Sequence, residues 1–314
     1  MKRQNKKVKS QSRGDVTKNI GRSIIDDIYG SRLFKIVNES FSAWLNHWPL
    51  VLLCVFLEFI FLVGVSGFMT IIQILLFEHL EAVMRIAGEL TGGLTNLYDE
   101  TSQVTTGLSG LTNNTEFLYH LNIIFKYIAV MIAVTFVLWV IFQGIIWFIS
   151  HKITAGKDHQ HFFLFWRNFA LQSIPFYLLS ITFIFLSVRM LLSVKTSMAP
   201  ILNETFLNFI FLLFICVTWY FGALSYTITT RNPYLNIRTA FVYGVRKFPQ
   251  VIQTVLFLIA VFFVIDRFLR LPFIKGDSFL LVILGIIILM PAFVFARIML
   301  FKTTQEYCLE NGKG

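Results

Sequence analysis

The sequence predicts an all-α, polytopic membrane protein with six transmembrane helices, and three observations predict it. The composition is apolar, 56% hydrophobic against 14% charged with a mean hydropathy of +0.70, whereas a soluble domain carries about a quarter charged residues. Six stretches are long enough to cross a hydrocarbon core of about 30 Å, which takes about 20 apolar residues in a helix. Basic residues alternate across those stretches, with 20 of the 27 Lys and Arg on the side of the N-terminus.

In order along the chain, residues 1–22 are basic, polar and poor in apolar side chains, a composition expected to be disordered. The first apolar run begins near residue 49, too late and too long for the core of a signal peptide. Residues 24–48 follow a helical period: Ile25, Tyr29, Leu33, Ile36, Val37, Phe41, Trp44, Leu45 and Trp48 recur on one side, opposite Arg32, Lys35, Asn38, Glu39 and Asn46. Such a helix just before a span lies in the interface plane, with Trp44 and Trp48 at headgroup level.

The six spans are Pro49–Phe68, Tyr127–Phe148, Phe176–Val194, Phe206–Thr227, Val251–Phe268 and Phe279–Leu300. The first apolar run continues to Phe77, and helical spacing persists to Gly92–Gly93. An exterior amphipathic continuation of the first helix is therefore expected inside a loop spanning about 78–122, followed by a polar, flexible stretch to about Glu116. Acidic residues dominate the side of this loop, and Lys and Arg are retained on the cytoplasmic side. Both termini are thus expected in the cytoplasm of a cell-membrane protein. Arg267, Arg270 and Lys275 run against this rule.

Each odd-numbered span is preceded by an aromatic stretch ending in proline: FSAWLNHWP (41–49), RNFALQSIP (167–175) and FVYGVRKFP (241–249). Aligned on Pro49, Pro175 and Pro249, the residues Trp48, Ile174 and Phe248 coincide, as do Leu45, Leu171 and Val245; Trp166 stands just ahead of the second stretch. Proline is tolerated in a helix's first turn, where a missing N–H costs nothing. Each even-numbered span ends in a Thr-containing stretch, SHKITAGK, SYTITTRNP or FKTTQEY. The pattern implies three repeats of interfacial elbow helix, span, span, at about 24–157, 158–232 and 233–307. They lie within a membrane domain at 23–307 that ends in a tail at 308–314.

Glu58 is the sharpest candidate site residue. It lies near mid-bilayer, where a carboxylate is costly and usually faces a cavity or another helix. Arg189, in the third span, is its expected partner; Gln73, Gln143 and Asn208 are polar but scattered. As a structural group Glu58 should tolerate Gln, which keeps its size and most of its hydrogen bonding. His151, His159 and His161 share a loop and could ligate a metal, although interfacial histidines are commoner. Cys54, Cys216 and Cys308 have no disulfide or metal spacing. Asn113 and Asn203 begin glycosylation sequons on the expected exterior, while a third sequon, at Asn38, falls inside.

No Walker loop, dinucleotide glycines, nucleophile elbow or zinc helix is found, so no enzymatic activity, cofactor or metal is expected. The net charge of +10 is explained by topology, with anionic lipid headgroups at the cytoplasmic face as the expected contact rather than nucleic acid. Membrane-protein partners or a homo-oligomer complete the expected contacts.

The elbow segments resemble those of a loose group of prokaryotic six-span membrane proteins of unknown function, including the membrane domain found with some glycerophosphodiester phosphodiesterases. The resemblance covers about 24–307. This chain departs from it in having no soluble phosphodiesterase domain and in its long first exterior loop. It implies a six-span fold and no catalytic residues. Two functions follow as expectations: a scaffold or assembly component acting through lipid or protein contacts, or a small transporter or channel using Glu58.

Overall fold

A computed structural model describes residues 32–92, 114–155, 161–196, 204–228, 232–270 and 278–309. Those residues form eight helices: α1 (Arg32–Asn46), α2 (Trp48–Gly92), α3 (Thr115–Ala155), α4 (Phe162–Thr196), α5 (Glu204–Thr227), α6 (Pro233–Arg246), α7 (Phe248–Leu269) and α8 (Ser278–Leu309). Six of them, α2, α3, α4, α5, α7 and α8, are long and apolar enough to cross a membrane. The described residues are all helical in architecture, and the six spans make this a multi-pass membrane protein. The basic N-terminal segment, Asn113 and Asn203 lie outside the described residues.

Helix ends follow local chemistry. Asn114 caps α3, its Oδ1 accepting from the backbone N–H groups of Glu116 and Phe117 at 2.9 and 3.0 Å. Asn232 caps α6 in the same way through Tyr234, with Pro233 at the first helical position. The α1–α2 and α6–α7 junctions share one pattern of bonds. The His47 carbonyl accepts from Leu50 and Val51, and the Lys247 carbonyl accepts from Gln250 and Val251. In each, the residue two past that carbonyl is a proline, Pro49 or Pro249, which has no N–H to leave unbonded. Pro175, by contrast, sits inside an unbroken α4.

The helices pack as antiparallel neighbours in chain order. The pair α2–α3 makes the most extensive contact, and α8 is central, touching α1, α2, α3, α5 and α7. With 45 and 41 residues, α2 and α3 run about 67 and 61 Å, twice a hydrocarbon crossing. Both ends of the expected exterior loop are thus helical, with α2 described as far as Gly92.

The core gathers at the end of the bundle that carries α1 and α6. Its main cluster includes Ile36, Trp147, Phe169, Leu224, Ala240, Val251, Met299 and Phe301, and a second groups Val51, Cys54, Ile146, Val294 and Ile298. Elsewhere the spans expose large apolar side chains such as Phe56, Leu212 and Phe263, as expected for surfaces in contact with lipid rather than water. Two glycines allow close approach in the core. A Cβ on Gly144 would stand 2.7 Å from the Trp166 ring, and one on Gly244 would stand 2.9 Å from the Phe221 ring.

Candidate functional site: an intramembrane polar cluster

Glu58 lies ten residues into α2, about 15 Å along its axis. Antiparallel packing brings Gln143 of α3 to its level, and α8, wedged against both helices, adds Arg297. The Arg297 Nη2 donates to Glu58 Oε1 and, at 2.9 Å, to Gln143 Oε1. Gln143 Nε2 donates to Glu58 Oε2 at 2.9 Å. Each pair of the three side chains is therefore bonded, and the amide's orientation is set from both sides. The guanidinium also lies over the Trp147 ring, 5.7 Å from its centroid.

The cluster is buried. The Glu58 and Arg297 side chains are 7% and 13% exposed, and Gln143 is buried. Cys54, one turn before Glu58, packs with Ile146, Val294 and Ile298 beside it. Both carboxylate oxygens are occupied by donors, and opposite charges meet, so the arrangement ties α2, α3 and α8 together at little net charge. The charges are paired as a buried ion requires, although among the described residues the buried Nη1 of Arg297 has no hydrogen-bond partner.

The sequence singled out Glu58 but named Arg189 as its partner. The structure bonds Glu58 to Arg297 and Gln143; the Arg189 side chain lies outside the described residues. Arg297 stands three residues before the end of its expected span, one of the 20 basic residues on the N-terminal side. Its guanidinium turns inward because α8 is the helix that packs against α2, a fact that helix order in the sequence does not reveal.

A second polar layer lies nearer the end with α1 and α6. Thr254 and Thr303 pair across α7 and α8 at 3.1 Å, and Thr227 and Thr304 across α5 and α8 at 2.8 Å. Ser173 of α4 donates to Tyr226 of α5 at 3.2 Å. Two of the three Thr-containing stretches of the sequence thus meet each other. A small pocket beside them is lined by Asn168, Gln172, Tyr226 and Asn236 with Phe165, Phe169 and Ile228.

The remaining sequence candidates are placed as follows. Trp44 stacks on Phe41 at 5.9 Å, while Trp48 is among the most exposed apolar residues. Phe248 contacts Tyr220 edge-on at 6.0 Å. Trp166 turns into the bundle and donates its indole N–H to the Val140 carbonyl of α3 at 3.1 Å. His151 is buried between Phe165 and Phe301, His161 is exposed, and His159 lies outside the described residues. Among the described residues no three metal-ligating side chains come together.

No protein-family model, curated protein or solved structure matches the chain.

Proposed function

We propose that this chain is an integral membrane protein that acts through lipid and protein contacts, as a scaffold or assembly component, without a catalytic step. The observation that carries this reading is the bonding of Glu58. The carboxylate that a transport path would need is held at both oxygens by α3 and α8 and is packed among apolar side chains. It serves as a clasp between helices.

The surface supports the same reading. The α1 and α6 helices each bury one side and expose aromatic or aliphatic residues: Phe34, Phe41 and Leu45 on α1, and Tyr234, Phe241 and Val245 on α6. With the matching junctions at His47 and Lys247, they act as elbow helices lying in the interface of a repeated elbow, span, span plan. That plan agrees with the resemblance to the six-span group. In the same account Arg32, Lys35, Arg238, Arg246 and Lys247 face anionic cytoplasmic headgroups, where each contributes up to about 1 kcal/mol.

The competing reading, a transporter or channel using Glu58, is tested by reconstitution. Under an imposed pH gradient or membrane potential, proteoliposomes of the wild-type chain should pass protons and monovalent cations no faster than empty vesicles. A flux that Glu58→Gln removes would overturn the scaffold reading. The lipid contact has its own test: thermal unfolding in nanodiscs should shift upward when zwitterionic lipid is partly replaced by anionic lipid.

A further inference from the structure

The halves of α2 and α3 remote from α1 and α6 run on together well beyond a crossing length. In this stretch the hairpin is held by a narrow apolar seam of Ile72, Ile86 and Ile124 and by two polar links. One is an exposed ion pair, Arg85 with Glu116 at 3.6 Å. The other is half-buried: His79 Nδ1 of α2 and His120 Nδ1 of α3 are 2.9 Å apart.

The histidine contact has a definite geometry. The ring centroids are 5.2 Å apart, about the N···N distance plus the two ring radii and so the most that this contact allows, which means the nitrogens face each other head on. That is the geometry of an N–H···N hydrogen bond, in which one Nδ1 carries a proton and the other offers its lone pair. Two lone pairs converging on a shared ligand would be arranged differently. The rings are also set among aromatics: Tyr127 stacks on His79 at 5.9 Å, and Tyr119 meets His120 edge-on at 5.4 Å.

We propose that the His79–His120 contact is a proton-sensitive clamp that holds the outer α2–α3 hairpin closed and opens when both rings are protonated. With one shared proton the pair accepts a neutral or a singly charged state. From the singly charged state, in which the donor ring carries protons on both nitrogens, a further proton taken from solvent onto the remaining Nδ1 converts N–H···N into two opposed N–H groups on two cations. No acceptor then remains between them, and like charges at contact distance repel. The clamp is therefore present at higher pH and lost as pH falls.

The charged groups around it either act in the same direction or lie aside. Glu116, one turn before His120, is engaged by Arg85, and protonating it would weaken the second link as well. Glu78 and Glu81 of α2 and Lys126 of α3 are exposed and add no acceptor between the rings. Opening would uncover Ile86 and Ile124, which are buried at 4% and 9% exposure.

Pulsed electron-spin distance measurement on the full chain in nanodiscs tests this. Spin labels go on Glu81→Cys and Asn122→Cys, with Cys54, Cys216 and Cys308 replaced. Between about pH 8 and about pH 5, the range in which imidazoles change charge, the distance distribution should move outward by more than its pH 8 width. The same labels in His79→Gln/His120→Gln, whose amides hydrogen-bond without titrating, should give one pH-independent distance. If that variant does not fold, His79→Gln alone replaces it. A single imidazolium can still donate to the amide oxygen, so its acid response should vanish. With Glu116→Gln the acid response should persist. A wild-type distance unchanged by pH, or an equal shift without the histidines, overturns the proposal.

Discussion

Gly144 leaves a notch in α3 that the Trp166 ring occupies, and the indole N–H reaches the Val140 carbonyl one turn earlier. A methyl group there meets the rigid ring at 2.7 Å, and the ring cannot swing away without breaking its hydrogen bond. Gly144→Ala should therefore cost about 1–3 kcal/mol, the usual price of overpacking, read as a lower unfolding midpoint in a graded detergent titration. Trp166→Phe keeps the ring but drops the bond and should cost about 1 kcal/mol. Neither contact was legible in the sequence, where Trp166 reads only as an interfacial aromatic and Gly144 as an ordinary membrane glycine. Glu58 was legible, because a lone carboxylate in an apolar run is a strong signal. Its partners were not, since three side chains from helices far apart in sequence meet there. With Arg297 as the counter-charge, the expectation that Glu58→Gln would be silent no longer holds: the amide would leave a buried guanidinium without its anion.

At the level of elements, α8 is held to α7 and α5 by hydroxyl pairs as well as by packing. In a membrane, where lipid competes for apolar contact, such bonds average about 0.6 kcal/mol and reach about 1.7 kcal/mol. Thr254→Val and Thr303→Val should each destabilise by amounts of this order, and the double variant should cost less than their sum, because Thr303→Val alone strands the Thr254 hydroxyl, whereas the Thr303 hydroxyl keeps its bond to the Met299 carbonyl. Unfolding midpoints of the four proteins decide this. The six spans were readable because about 20 apolar residues have few alternatives, and the junctions before Pro49 and Pro249 fall where the sequence placed them. The unbroken α4 shows the limit of the proline signal. Pro175 removes one backbone N–H, but the helix continues because its neighbours and the chain on both sides remain apolar and helical. The helical extension of α3 down to Thr115 was also missed, since its polar start resembles the preceding loop.

Among the described residues, packing is dense at one end and sparse at the other. The Glu58 cluster, the threonine layer and both short helices share the dense end, while the far halves of the spans expose apolar side chains or meet one another in pairs. If the charge split sets orientation, the dense end is cytoplasmic. Cysteines introduced at Ser10 and Asn113 should then react with an impermeant reagent from opposite sides of sealed vesicles; reaction from the same side would refute the six-span topology. The central claim is that the intramembrane carboxylate is a clasp. A double-mutant cycle on Glu58→Gln and Arg297→Gln, scored by unfolding free energy in the membrane-mimetic state, tests it most directly. Each single change should cost about 3 kcal/mol or more by leaving a buried charge unpaired, and the double variant should recover much of that loss. Two singles that are silent, or that simply add, would contradict the clasp.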